Sequence, residues 1–197
     1  MIEKIIGAFT FRKEVYQEVE KDASFTPTAW MIVAVVAFLN QIGANAALVQ
    51  TVGGGSWIVR AILMTGVTIL GFALGAFVIS WAGKTFFNAD TSFEEMVRVL
   101  GLAYVWNVIG FLGILALAGP AVACILGPIS LVAGIAGLIA WFIAAKEALD
   151  LEWPQTIGTV IIGWVVSLIV SAIFGGILAL LGLAGAGVGA ALRGFGG

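Results

Sequence analysis

The amino-acid sequence predicts an all-α, polytopic membrane helix bundle with five transmembrane helices and cytoplasmic amphipathic helices. The chain has 197 residues, of which 61% are hydrophobic and only 10% are charged, whereas soluble domains carry about 25% charged residues. A soluble fold of this size could not hide so much apolar surface, because its surface is large relative to its volume. The apolar residues are also gathered into long stretches with short links between them, which is typical of membrane-spanning helices.

Five apolar stretches are long enough for spans, since a helix needs about 20 apolar residues to cross a hydrocarbon core of roughly 30 Å. They run from about Thr28 to Val49, from Trp57 to Trp81, from about Val97 to Ala118, from Ala121 to Ala145 and from Thr156 to about Leu183. We therefore expect an amphipathic N-terminal segment over 1–27, a five-span domain over 28–183 and a Gly/Ala-rich tail over 184–197.

The link between the third and fourth stretches leaves two interpretations open. Gly119 and Pro120 predict a tight turn between two separate spans. The region Gly119–Pro128 is so apolar, however, that the two stretches could instead form one re-entrant hairpin. Their combined length favours two spans.

Two segments have the spacing of amphipathic helices and are predicted to lie on the cytoplasmic side, in the plane of the lipid headgroups. The first occupies residues 2–21, where apolar residues recur at helical intervals opposite a charged face. The second begins near Thr91, because Thr91 with Glu94 has the spacing of a capping box. Ser92 with Glu95 repeats that spacing one residue later, so either residue could begin the helix.

The basic residues predict the orientation. In a five-span topology Arg60 and Arg193 lie on one side of the membrane, and the other seven basic residues lie on the side of the N-terminus. Those seven are Lys4, Arg12, Lys13, Lys21, Lys84, Arg98 and Lys146. Because cytoplasmic loops carry the excess of Lys and Arg, we expect a multi-pass protein of the cell membrane with its N-terminus in the cytoplasm and its C-terminus outside.

Charged residues close to the predicted cytoplasmic links form a candidate interface. Glu94 and Arg98 are four residues apart, a spacing that favours an ion pair along one face of a helix. The candidate cytoplasmic interface consists of Glu94, Glu95, Arg98 and Lys146.

Four amide side chains lie inside the predicted spans. Asn40, Gln41 and Asn45 are close together in the first span, and Asn107 lies in the third. In hydrocarbon each amide needs a partner, so these residues should face protein or water. Hydrogen bonds between helices, worth about 1 kcal/mol each, are the simpler interpretation; a polar pathway or substrate site is the alternative. The absence of charged residues at the predicted midplanes favours the simpler one.

Gly71 and Gly75 form a GxxxG pattern in the second span and are candidate helix-packing residues. Such pairs of small residues allow two helices to approach closely. The pattern is frequent in membrane helices, so we expect packing within one molecule rather than a dimer interface.

Catalysis and cofactor binding have little support in the sequence. The chain has no histidine and a single cysteine, Cys124, in an apolar stretch without a neighbouring base. The basic residues are scattered and form no cationic groove. We therefore expect no enzymatic activity, no cofactor, no metal site and no nucleic-acid partner.

Three segments resemble the Yip1-domain family in its bacterial and archaeal branch. They are FRKEVYQEVEKD at Phe11–Asp22, FEEMVRVLGLAYVWNVIGFLG at Phe93–Gly113 and WFIAAKEALDLEWPQTI at Trp141–Ile157. The resemblance extends over roughly Phe11–Val170 and implies a five-span fold with a cytoplasmic N-terminus. Eukaryotic members act in vesicle trafficking, bind Rab GTPases and carry a longer cytoplasmic N-terminal region, so we do not expect Rab binding to transfer.

The sequence thus favours a non-enzymatic, Yip1-type integral membrane protein that organises membrane or binds partner proteins. Its expected partners are the lipid bilayer and other membrane proteins or further copies of itself. Two alternatives remain open: a transporter or lipid-translocating protein that uses the in-membrane amides, and an accessory subunit of a larger membrane complex.

Overall fold

The computed structural model describes residues 1–46, 49 and 54–180, and the regular structure over these residues is helical. The elements follow in the order α1 (Ile2–Phe9), α2 (Lys13–Lys21), a 3-10 turn (Ala23–Phe25), α3 (Thr26–Ala44), α4 (Gly54–Phe87), α5 (Phe93–Ala103), a 3-10 helix (Tyr104–Ala118), α6 (Pro120–Leu149) and α7 (Trp153–Leu180). The predicted tail over 184–197 and part of the glycine-rich link after α3 lie outside the described residues.

Among the residues that the structure describes, four helical segments are long and apolar enough to cross a membrane. They are Ala23–Ala44, Trp57–Phe87, Phe93–Ala118 and Ala121–Leu149. Within α7, a shorter apolar stretch covers Trp153–Val166. The prediction of an all-helical protein with several membrane-spanning helices is therefore confirmed for the described part of the chain.

Local sequence signals determine where several helices begin. Ser92 caps α5: its hydroxyl accepts a hydrogen bond from the Glu95 backbone N–H at 3.2 Å, and the Glu95 carboxylate accepts one from the Ser92 N–H. Of the two predicted capping boxes, this one is formed. Gly119 joins the 3-10 helix to α6 with a φ of 132°, which is readily adopted only without a side chain.

The third span differs from the predicted α-helix, because it changes to 3-10 geometry at Tyr104. The 3-10 helix is 15 residues long, whereas most such helices are only three or four residues. At a rise of about 2.0 Å per residue, such a length corresponds to about 30 Å, close to the thickness of a hydrocarbon core. Because residues three apart align in this geometry, Asn107, Gly110 and Gly113 line one edge, which packs against α3.

The 3-10 helix lies between α3 and α6, while α4 packs against α3 and α7. The end of the bundle formed by α1, α2, the start of α5 and the end of α6 is called here the N-terminal face. Most of the fully buried large side chains lie towards this face, including Tyr16, Met96, Leu100 and Leu149. The middle of α6, by contrast, exposes its large apolar residues, as expected for a surface in contact with lipid.

The sequence predicted N-terminal helices that lie in the plane of the lipid headgroups; in the structure these helices also pack against the helix bundle. Helix α2 buries Val15, Tyr16 and Val19 and packs against α5 and α6. The Lys4 ammonium ties α1 to α2 through the Glu18 carboxylate at 3.0 Å. The helical spacing of the apolar residues was predicted correctly. Tertiary contacts with the bundle, however, cover the apolar face of α2. On α1, Ile2 and Ile6 remain exposed, so part of its surface is still available to lipid.

Gly71, the first glycine of the GxxxG pair, makes no close helix contact, whereas Gly43 does. A Cβ added to Gly71 would meet nothing within 4 Å, whereas Gly75 is buried. A Cβ on Gly43 of α3 would instead lie only 2.7 Å from the Phe111 Cα. The tightest approach of α3 is therefore to the backbone of the 3-10 helix.

Candidate functional site

The structure brings together two of the four predicted in-membrane amides. The Asn40 amide nitrogen donates a hydrogen bond to the Asn107 carbonyl oxygen at 2.8 Å. This bond joins α3 to the 3-10 helix at the point where Gly110 allows close approach. The Asn107 amide nitrogen donates in turn to the Tyr104 carbonyl oxygen at 3.2 Å, within its own helix.

The other two amides lie on a different side of α3. Gln41 donates to the Thr68 hydroxyl oxygen of α4 at 3.2 Å, and Asn45 donates to the Gln41 side-chain oxygen at 2.9 Å. Consecutive helix residues are separated by about 100° around the axis, so Asn40 and Gln41 contact different neighbours. The four amides therefore form two separate groups.

A cavity of about 380 Å³ adjoins Asn40 and Asn107, between the 3-10 helix and α6. Its lining is Asn40, Tyr104, Trp106, Asn107, Ile109, Gly110, Ser130, Ala133, Gly134, Gly137, Leu138 and Trp141. None of these side chains is charged. Tyr104, Ser130 and Trp141 were not among the predicted site residues, although each carries a polar group inside a predicted span and could have been selected on that criterion.

Aromatic packing holds the polar walls of the cavity in place. The Phe72 ring of α4 meets the rings of Tyr104 and Trp141 edge to face, at centroid distances of 5.6 Å and 6.1 Å. Phe72 is itself buried, so both rings rest on a fixed neighbour. The indole N–H of Trp141 is buried and has no hydrogen-bond partner among the described residues.

Trp106 connects the cavity to the N-terminal face. Its indole N–H donates to the Ala8 carbonyl oxygen of α1 at 3.2 Å. The rings of Phe9 and Phe11 pack on the same indole, with centroid distances of 5.0 Å and 5.3 Å. One tryptophan therefore both lines the cavity and anchors the connection between α1 and α2.

A family model described as the Yip1 domain matches residues 6–175. The chain belongs to the Yip1 family. Together with the long apolar helices, this membership identifies an integral membrane protein of the Yip1 type and confirms the resemblance at the level of the family. No curated protein and no solved structure shows a significant match to the chain.

Arg98, one of the predicted interface residues, lies inside this Yip1 protein, with only 6% of its surface exposed. Its guanidinium donates to the carbonyl oxygens of Val19, at 3.0 Å, and Glu20, at 3.1 Å. It also donates to the Thr26 hydroxyl oxygen at 3.3 Å. Arg98 thus caps the C-terminus of α2, where the helix dipole favours a cation. It also holds this end of α2 against the start of α3.

Of the other predicted interface residues, only Glu95 lies close to this buried arginine. Glu94 is exposed, whereas Glu95 is engaged in the cap with Ser92 and lies 4.0 Å from the Arg98 guanidinium. The Lys146 ammonium lies over the Trp153 ring, 5.7 Å from its centroid. The outer surface here is therefore provided by Glu94 and by the polar side of α2.

The N-terminal face carries a group of carboxylates. Burial raises the pKa of the Glu20 carboxyl, and the nearby carboxylates of Asp150 and Glu95 raise that pKa further. The Gln17 amide nitrogen donates to the Glu147 carboxylate at 2.6 Å, which joins α2 to α6. Within the described residues, no group of three or more His, Cys, Asp or Glu side chains is arranged to hold a metal ion.

Proposed function

We propose that this Yip1-family protein is a non-enzymatic membrane scaffold that binds other membrane proteins, or further copies of itself, through its N-terminal face. The supporting observation is that α2 is a docked helix with one buried and one open side. Val15, Tyr16 and Val19 pack inwards, while Lys13 and Glu14 are exposed. A polar surface held on a fixed support can bind a partner without first ordering a flexible segment, which lowers the entropic cost of binding.

The arrangement of the in-membrane amides favours a structural role over a transport role. Asn40, Gln41 and Asn45 each donate a hydrogen bond to a neighbouring group. Such bonds stabilise contacts between helices in a membrane. The division of these amides between two sides of α3 gives no support to a single polar path through them.

The scaffold proposal is tested with a photoactivatable amino acid placed singly at Lys13 or Glu14, in the full chain and in native membranes. We expect crosslinks to a defined protein partner or to a second copy at both positions. The control position is Ile125, which is 65% exposed on α6 and should yield lipid adducts only. Equal protein crosslinking at Ile125, or none at Lys13 and Glu14, would contradict the proposal.

We also propose that the protein belongs to the bacterial and archaeal branch of the family. For its topology we propose five spans, a cytoplasmic N-terminal face and an external C-terminus. Leu149, at the end of α6, packs beside Gly83, near the end of α4, which supports a common side of the membrane for the link after α4 and the link after α6. The N-terminal segment and the helix ends beside these links carry seven of the nine basic residues, which favours a cytoplasmic location.

Reporter fusions at the two termini test this topology. A reporter active only in the cytoplasm should be active at the N-terminus and inactive at the C-terminus, and a periplasmic or external reporter should give the reverse. Both termini on the same side would rule out five spans.

A further inference from the structure

The polar cavity continues into an apolar hollow of about 350 Å³. Both are lined by Trp106, Ile109 and Ala133. The hollow adds only apolar side chains, from Pro128, Ile129 and Val132 of α6. The two spaces therefore form one groove between the 3-10 helix and α6, called here the intramembrane groove, with a polar end and an apolar end.

The polar end has hydrogen-bonding capacity that the protein itself does not use. The Trp141 N–H is buried without a partner among the described residues, and a buried polar group without a partner is costly. Tyr104 and Ser130 add two hydroxyl groups to the same lining. The Asn40 and Asn107 amides bond through their nitrogens, which leaves their side-chain oxygens as acceptors.

The chemistry of the groove restricts what can occupy it. Water requires two to four polar partners, which the apolar end does not provide. No lining residue of either part is charged. An ionised headgroup in the groove would therefore have no opposite charge beside it, which is strongly unfavourable in hydrocarbon. A small hydroxyl or ester group attached to a hydrocarbon chain matches both ends of the groove.

We propose that the intramembrane groove binds an uncharged lipid with a small hydroxyl-bearing head, of the diacylglycerol type. The head lies among Asn107, Tyr104 and Ser130, and an acyl chain follows the apolar end past Ile129 and Val132 before it enters the bilayer. The proposal does not depend on the scaffold role, because lipid binding and partner crosslinking at Lys13 and Glu14 are measured separately.

The test uses the full chain in nanodiscs with a diacylglycerol that carries a photoactivatable diazirine near the head. We expect labelling on peptides that contain residues 104–110 and 130–141. Unlabelled diacylglycerol should compete for this labelling, whereas phosphatidic acid with the same acyl chains should not. Absence of labelling there, or equal competition by phosphatidic acid, would overturn the proposal.

Two glycines of α6 provide a matched pair of variants. A Cβ at either Gly134 or Gly127 would meet nothing within 4 Å, so both positions accept a larger side chain, but only Gly134 lines the groove. Gly134→Leu should fill the polar end and lower the competable labelling at least about tenfold, while Gly127→Leu should leave it unchanged. Equal labelling of the two variants would show that the lipid lies elsewhere.

A milder variant keeps the test valid should Gly134→Leu fail to fold. Ser130→Ala removes one hydroxyl group from the lining without adding volume. It should weaken diacylglycerol competition by about threefold, the loss expected for one neutral hydrogen bond. Unchanged competition in Ser130→Ala would by itself overturn the proposed position of the lipid head.

Discussion

Arg98→Ala is expected to release α2 from the bundle. The substitution removes the donors to the carbonyl oxygens of Val19 and Glu20 and to the Thr26 hydroxyl. A buried carbonyl that loses its partner costs about 1–3 kcal/mol. We expect the free energy of opening of α2 to fall by about 2–4 kcal/mol, which accelerates amide hydrogen exchange in Lys13–Lys21 by about 1.5 to 3 orders of magnitude. Hydrogen exchange followed by mass spectrometry measures this directly.

Two control variants separate the buried bonds from the loss of a positive charge. Lys84→Ala removes a cation whose side chain is exposed and should leave exchange in α2 unchanged. Arg98→Lys keeps the charge but loses the planar fork of donors, so it should fall between wild type and Arg98→Ala. If Arg98→Ala and Lys84→Ala behave alike, α2 is held by its apolar contacts and not by the arginine.

The sequence was most informative where structure is local. The cap at Ser92 and Glu95 depends on residues three apart, and it forms as predicted. Arg98 was paired with Glu94 on the same local reasoning, yet its hydrogen-bond partners include Glu20, 78 residues away along the chain. Spacing within one helix contains no information about which distant carbonyl will lie above it, so the buried role of Arg98 could not be predicted.

The 3-10 helix illustrates a different limit. Repeats of 3.0 and 3.6 residues are nearly indistinguishable in a short segment that is apolar almost throughout, as Tyr104–Ala118 is apart from Asn107. The amides show an intermediate case. The need of Asn40 and Gln41 for partners follows from the hydrocarbon environment alone, but their separation between two sides of α3 depends on where Asn107 and Thr68 lie.

Gly43→Ala is expected to destabilise the contact between α3 and the 3-10 helix. The added methyl would lie 2.7 Å from the Cα and 2.8 Å from the carbonyl carbon of Phe111, and closer still to the Gly110 carbonyl oxygen. These are backbone atoms, which cannot turn aside as a flexible side chain can. Overpacking of this kind costs about 1–3 kcal/mol. The melting temperature in detergent should fall by several degrees, measured by circular dichroism.

Gly71→Ala is the matched control, since it makes the same change in a helix where the new Cβ meets nothing within 4 Å. Replacing glycine by alanine within a helix is intrinsically favourable by about 1 kcal/mol. The two variants should therefore change the melting temperature in opposite directions, with Gly71→Ala equal to or above wild type. A rise for Gly43→Ala as well would mean that helix propensity outweighs the contact, and that α3 does not depend on a glycine to approach the 3-10 helix.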